Sequence, residues 1–202
     1  MNLIKLASLM ALLAAAPGCS GGTKPATCTF SGYADGGTPG VGSTMENLTL
    51  VGSQHYNTDG SPVDGTLKNL TLESYRADPK NKVLAILVAA EWCIPCQTEQ
   101  AEVVPAYNNY KSSASGVAIV EAITQKVNNS PADQGTIDAW AKRYGVPFDL
   151  TTDAAGALAK YSNSMLFPSQ LVITTCDMKI QWMHNGYEAG SLENAIDAAL
   201  AL

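Results

Sequence analysis

The sequence predicts an α/β domain in which helices flank a central mixed β-sheet. Three observations point there. Residues 83–88 and 116–123 are apolar runs of strand length, and each leads into a stretch with apolar residues at helical intervals. The C-terminal part carries two more strand-like runs around a turn, followed by a last helical pattern. Two cysteines two residues apart, Cys93 and Cys96, sit where the first apolar run gives way to its helix.

The elements follow in order. Residues 20–45 are rich in Gly, Ser, Thr and Pro and read as a tether and N-terminal arm, ordered only if Cys28 is tied down. The alternation at 47–51 reads as a strand, and Asp59-Gly60 and Asp64-Gly65 mark turns. Residues 66–72 are a second short strand or lead into a turn, and 72–75 are a helical turn. Residues 83–88 form a buried strand, 97 to about 110 a helix, and 116–123 another buried strand. In 134–144, Ile137, Trp140, Ala141 and Tyr144 share a helical face, and Gly145 with Pro147 stops the helix. Residues 148–150 read as a brief edge strand and 154–161 as a short helix. Strands at 170–174 and 179–183 surround a Cys176-Asp177 turn. The last helix, 191–200, opens on a serine cap at Ser191 and a glutamate in its first turn. There is no internal repeat.

The N-terminus reads as a targeting segment, residues 1–18. Lys5 supplies the positive region and 6–16 the apolar one, which is too short to span a bilayer. The 184 residues that remain suit one domain with a real core. Removing Lys5 moves the net charge from −6 to about −7. An acidic chain without a basic cluster argues against nucleic acid and against anionic lipid as charge-driven partners.

Cys93 and Cys96 can reach each other across the first turn of a helix and so alternate between dithiol and disulfide. A helix N-terminus offers unpaired N–H groups and partial positive charge, which favour the thiolate and make Cys93 a nucleophile. Zinc sites also use C-x-x-C, but one pair is half a structural zinc site. No second pair exists, and His55 and His184 lie far off in sequence. A redox pair is the leading reading; metal binding and a plain structural bridge are the alternatives. Pro95 suits the first helical turn because it lacks an N–H there. Of five cysteines, Cys28 and Cys176 remain once Cys19 and the C-x-x-C are set aside. In an oxidising compartment they are expected to pair as a bridge buried against the sheet that staples the arm to it; two free thiols, one of them exposed, are the alternative.

Two resemblances extend this reading. Ala16-Pro17-Gly18-Cys19 resembles the lipobox of bacterial lipoproteins, with Ala16 where Leu is more common. It implies lipidation at Cys19 and an extracytoplasmic, membrane-anchored chain; ordinary signal cleavage is the alternative. Ser20, in place of a retaining aspartate, hints at the outer membrane. Ala90-Glu91-Trp92-Cys93-Ile94-Pro95-Cys96 and the element order of residues 46–202 resemble the thioredoxin fold. The likeness is to membrane-anchored thiol–disulfide oxidoreductases grouped with the alkyl hydroperoxide reductase and redoxin relatives. That branch carries an N-terminal β extension and an insertion before the last hairpin, here around 130–164.

The thioredoxin-fold resemblance implies roles. Cys93 attacks and is the more exposed; Cys96 resolves the mixed disulfide. Trp92 flanks the pair or simply packs, and Ile94 and Pro95 tune the redox poise. Pro168 matches the family's cis-proline, which presents backbone to an extended substrate segment. Leu87 stands where thioredoxin has a buried aspartate. Glu99 matches a glutamate that takes the resolving thiol's proton, with a solvated surface glutamate as the alternative. The implied function is thiol–disulfide exchange on extracytoplasmic proteins as a reductase and a monomer, with an upstream electron donor and no cofactor or metal. A peroxidase is disfavoured because Ala90 stands where that chemistry needs a threonine. A copper or zinc carrier and a binding module without turnover are the other classes.

Overall fold

A computed structural model describes residues 28–57, 61–63, 67–162 and 166–202. The targeting segment, Cys19, residues 20–27 of the tether and the turns at Asp59-Gly60 and Asp64-Gly65 fall outside them. No helix among the described residues is long and apolar enough to cross a membrane.

The strands are β1 (Thr49–Ser53), β2 (Lys68–Thr71), β3 (Val83–Ala89), β4 (Val117–Ile123), β5 (Asp149–Thr152), β6 (Ser169–Thr174) and β7 (Lys179–Asn185). The helices are α1 (Leu72–Ala77), α2 (Ile94–Ser112), α3 (Gln134–Tyr144) and α4 (Ser191–Leu200). One mixed sheet of order β2-β1-β5-β4-β3-β6-β7 holds every strand. β3, β4 and β5 run parallel, and β1, β2, β6 and β7 pair antiparallel. This is the predicted α/β architecture, a thioredoxin fold.

β3 is buried along its whole length because both faces of the sheet are covered. Its alternating side chains divide the core. Val83, Ala85, Leu87 and Ala89 join Val103 of α2, Ile137 and Trp140 of α3, and Ile196 of α4. Leu84, Ile86 and Val88 face the other way, with Met45, Leu72, Tyr75 and Leu158. Each large apolar side chain so buried contributes about 1.5–3 kcal/mol. The sheet therefore holds the end of β3, and the C-x-x-C that follows it, on a rigid floor.

The arm from residue 28 packs on this body. Met45 is fully buried, and Phe30 and Tyr33 pack against the second core cluster. Backbone bonds from Gly42 N–H to the Ile180 carbonyl (2.7 Å) and from Met45 N–H to the Met178 carbonyl (2.8 Å) dock it on β7 and the turn before it. Cys28 and Cys176 form a disulfide with a Cα separation of 5.9 Å, inside the usual range for a bridge. Both cysteines are exposed, where the sequence led us to expect a bridge buried against the sheet. Replacing both with serine is expected to lower stability by about 2–5 kcal/mol, chiefly by freeing the unfolded chain. Denaturant melts of the two proteins check this.

Three expectations change. β5 is not an edge strand: β1 closes its outer side, so it lies between β1 and β4 with three of its four residues buried. That closure depends on Gly52, because a Cβ there would stand 2.1 Å from the Leu150 carbonyl oxygen. Residues 154–161 form only a 3-10 turn, Ala159–Tyr161, because the Asp153 carboxylate accepts the N–H groups of Ala157 and Leu158 and holds them in a loop. Ser191 is the first residue of α4, not its cap; Gly190 caps with φ 72°, and the Ser191 hydroxyl donates to the Glu188 carbonyl. α2 starts at Ile94 with Cys93 as its cap, where the first-turn reading of Cys93, Pro95 and Cys96 puts it, and continues through Pro105 to Ser112.

Candidate active site

The site grows from the α2 N-terminus. Cys93 is the cap residue, with extended backbone, and its Sγ accepts the Cys96 N–H at 3.1 Å. Ile94 and Pro95 complete the turn, so an N–H is missing where the helix has no partner for one. Cys93 and Cys96 are joined as a disulfide with a Cα separation of 5.3 Å. Both sulfurs are sheltered, Cys93 at 3 % exposure and Cys96 at 0 %. The predicted order of exposure holds by a narrow margin.

Around the pair the surface is apolar. Ile94 is 72 % exposed and Trp92 42 %. The Trp92 indole N–H donates to Gln125 Oε1 at 3.0 Å, and its ring meets the edge of Phe167 with centroids 5.8 Å apart. The Phe167–Pro168 peptide is cis. Ser169, next in the chain, lies opposite Val88 near the end of β3, so the Pro168 loop sits beside the motif. A groove of about 290 Å³ runs on from Phe167, between Thr124, Gln125, Asp153 and Ala159.

Beneath the disulfide lies a buried polar layer. Glu99, one turn past Cys96, is 1 % exposed, which removes the solvated-surface alternative for it. Its Oε1 accepts from the Gln170 amide on β6, while Oε2 has no protein partner. Leu87, in the thioredoxin aspartate position, is a fully buried leucine. Directly across from it on β4 stands Glu121, also fully buried. The Gln100 amide donates to Glu121 Oε1 at 2.9 Å and the Trp140 indole to Oε2 at 3.1 Å. The same Gln100 nitrogen lies 3.4 Å from the Cys96 carbonyl oxygen. An acid is thus present beside the Leu87 position, supplied by the neighbouring strand.

Burial pushes the Glu99 carboxyl up to about 8, with the Glu102 charge adding to it against the Gln170 hydrogen bond. Glu121 is likewise pushed up to about 8, first by burial and then by charge on Glu99, against its two N–H donors. Glu102 is held below the usual carboxylate range by the Tyr187 hydroxyl and the Gly190 N–H.

Sequence reading singled out Cys93, Cys96, Trp92, Ile94, Pro95, Glu99 and Pro168, and the structure brings them to one end of the sheet. The Cys28–Cys176 bridge stands apart, at the turn between β6 and β7. Glu121 was missed, because 116–123 reads as a plain apolar run. The signal was available: a glutamate inside a buried strand is almost never found without dedicated partners. Neither histidine faces the disulfide layer through a described bond. His55 Nδ1 lies 2.7 Å from Asp149, and the His184 ring stacks on Trp182. Among the described residues, the one grouping of three metal-type donors is Cys28, Cys176 and Asp177, and its sulfurs are committed to the bridge. Ala90 is buried, and both arginines of the chain are engaged away from the motif, Arg76 with Glu73 and Arg143 over Tyr144.

Comparison with known proteins agrees with this geometry. The thioredoxin domain of a thiol-disulfide oxidoreductase from Bacteroides vulgatus superposes with a TM-score of 0.58 at 15% identity, covering 80% of this chain and 99% of that one. A Chlorobium tepidum protein provisionally described as the thiol:disulfide interchange protein DsbE gives 0.57 at 20% identity, covering 80% and 98%. StoA from Bacillus subtilis gives 0.50 at 16% identity, covering 75% and 96%. At these identities the likeness is one of fold. No curated protein matches the chain. Residues 42–181 match the AhpC/TSA family, a span that takes in the strand, the C-x-x-C helix, the cis-proline and both buried glutamates. The chain belongs to the AhpC/TSA family.

Proposed function

We propose that this chain exchanges thiols and disulfides with proteins outside the cytoplasm through Cys93 and Cys96, and that it acts as a reductase. The observation that carries the reading is the Cys93–Cys96 disulfide on the first turn of α2, with Cys93 Sγ on the Cys96 N–H and a buried carboxyl one turn away. A helix-capping sulfur gains most as a thiolate, so Cys93 is the attacking residue. The Cys93 thiolate attacks one sulfur of a partner disulfide, and the other leaves as a thiolate that takes a proton from water. Cys96 then gives its proton to Glu99 and attacks Cys93 Sγ. The partner's second sulfur leaves Cys93 as a thiolate and takes a proton from water, which completes the partner dithiol; the Cys93–Cys96 disulfide forms, and an upstream dithiol donor reduces it again. Oxidised here and reduced in the partner are one electron pair each, so the exchange balances.

Two further features support a protein partner. Trp92, Ile94, Val127 and Leu166 leave large apolar side chains exposed around the motif. The cis-Pro168 loop and the groove beyond Phe167 offer room for an extended segment. Trp92, Ile94 and Pro95 tune the pair. The test is stoichiometric. Reduced protein mixed with a disulfide-bonded protein substrate should open one substrate disulfide per Cys93–Cys96 pair formed. Substrate left intact while Cys93 and Cys96 stay as thiols would remove the reading.

The extracytoplasmic setting rests on the exposed Cys28–Cys176 bridge, which an oxidising compartment sustains, and on the lipobox-like 16–19 stretch. In this proposal residues 1–18 are a leader, Cys19 carries lipid, and the stretch after it is a tether to a bacterial membrane. Cys19→Ala is expected to abolish fatty-acid labelling and to release the protein from membranes. Fractionation with metabolic labelling checks it; membrane retention of the variant would contradict the anchor.

A further inference from the structure

We propose that the end of the sheet opposite the C-x-x-C docks on anionic lipid headgroups through Lys80, Lys82, Lys111, Lys142, Arg143 and Lys179, and so holds Cys93 and Cys96 away from the membrane. This rests on the reading of Cys19 as the lipid-bearing residue given above.

These cations are scattered along the sequence, so no basic cluster is visible there, but the fold gathers them. Lys80 and Lys82 lead into β3, and Lys179 opens β7. Lys111 lies in the last turn of α2, and Lys142 and Arg143 lie in the last turn of α3. The parallel strands β3, β4 and β5 run from this end toward the motif, so every one of these positions is at the far end from Cys93. Contacts join the centre of the set. Gly116, just past α2, lies against the Lys80 carbonyl and the Lys82 stem, and its own carbonyl accepts the Lys82 N–H at 2.7 Å. The Lys82 carbonyl accepts the Thr175 N–H at 2.9 Å. Lys82 and Lys179 line one groove with Cys28, Cys176 and Leu202.

The charges at the two ends differ in sign. All six cations are exposed, and none is in an ion pair with a described carboxylate. Cations elsewhere are taken up: Arg76 by Glu73, Lys126 by Asp133 and Lys160 by Glu46. The solvent-facing carboxylates at the basic end are Asp78, Asp177 and Asp197, and each already accepts a nearby N–H or hydroxyl. Six cations against three carboxylates leave this end positive. The motif's end carries the opposite sign. Glu91, Glu102, Asp133, Glu188 and Glu193 are exposed or half-buried there, and Lys126 is neutralised by its ion pair.

The partner is decided by where the chain enters this end. The bridge to Cys176 fixes Cys28 beside Lys82 and Lys179. Nine residue steps separate Cys19 from Cys28. Fully extended, that length of chain reaches about 30 Å. A lipid on Cys19 therefore keeps the basic end close to the bilayer. In physiological salt the field of a charged surface decays over about 8 Å. β3 is seven residues long, which sets the two ends of the sheet about 20 Å apart. An anionic surface thus attracts the near end and leaves the acidic motif end beyond its reach. In the reverse orientation the acids would meet the surface and be repelled. Leu202, exposed at the rim of the same groove, adds an apolar contact suited to the headgroup boundary. The consequence for exchange is access: Cys93 points toward partners in the aqueous space.

The test uses the full chain, isolated with its lipid from bacterial membranes and placed on vesicles of phosphatidylcholine alone or mixed with phosphatidylglycerol. Lysines are acylated with a water-soluble reagent and read one by one by mass spectrometry. Each cation at an anionic surface is worth about fivefold in binding, so labelling of Lys80, Lys82 and Lys179 should fall by about fivefold or more on the phosphatidylglycerol mixture. The protection should vanish in high salt, and Lys126 at the motif's end should label equally on both vesicles. A chain carrying Lys80→Glu, Lys82→Glu and Lys179→Glu together should keep its exchange activity in solution and lose the protection of Lys111 and Lys142. Equal labelling of the basic end on both vesicles, by a chain that floats with both, would overturn the docking and leave the anchor standing. Protection of Lys111 and Lys142 that survives in the triple variant would also overturn it. A chain that floats with neither vesicle would remove the anchor and the docking together.

Discussion

Cys96→Ser is expected to turn the protein into a covalent trap. Cys93 still opens the partner disulfide, but no thiol remains within the turn to displace the partner, so mixed disulfides accumulate and turnover falls to background. The order of roles follows from position. Cys93 caps α2 and keeps a thread of exposure, while Cys96 lies fully buried behind it. A partner sulfur therefore meets Cys93 first. Cys93→Ser should trap nothing, and its exchange rate should fall by at least ~10³-fold, since a serine hydroxyl does not attack disulfides at neutral pH. Non-reducing electrophoresis with mass spectrometry of the captured bands separates the two variants. Capture by Cys93→Ser in place of Cys96→Ser would reverse the assignment.

Glu99→Gln is expected to act on both rate and stability. As the proton carrier for Cys96, Glu99 is worth on the order of 10²-fold in the resolving step, with little effect on the attack by Cys93. Its contribution to stability has a definite sign. The folded-state value lies near 8 and the unfolded value near 4.5, so between them the folded protein holds a proton that the unfolded chain has released. Stability is thus greatest below the unfolded value and is lost as pH rises toward 8, at up to about 1.4 kcal/mol per pH unit for one group. Glutamine cannot ionise, so the variant should lose most of that slope. Denaturant midpoints at pH 5, 7 and 9 measure it. Parallel pH dependence in both proteins would show that Glu99 is ionised in the fold throughout.

Much of this was legible in the residues. Periodicity located β3, β4, α3, α4 and the final hairpin, because each has a run long enough for its period to show. The C-x-x-C and Pro168 identified the site through local chemistry. What escaped was set by partners distant in sequence. Residues 148–150 read as an edge strand because they are short, but nothing local says that β1, about a hundred residues earlier, closes their outer side through Gly52. The cap of α4 lies on Gly190 because a left-handed residue, not a serine side chain, turns the chain there. Glu99 read equally well as a surface residue until α2 was seen packed against β6 and Gln170. Glu121 was hidden inside an apolar run, and its partners Gln100 and Trp140 come from two different helices. Long-range pairing, rather than local propensity, decides such positions.

The reduction potential of the Cys93/Cys96 couple tests the central claim most directly. The full chain is equilibrated in thiol–disulfide buffers of known potential, and the two cysteines are read by alkylation and mass spectrometry. A reductase requires reversible exchange with a potential below about −200 mV, toward the roughly −270 mV of thioredoxin. A couple near about −120 mV, the range of a strong protein oxidant, or a disulfide that does not equilibrate at all, would contradict it.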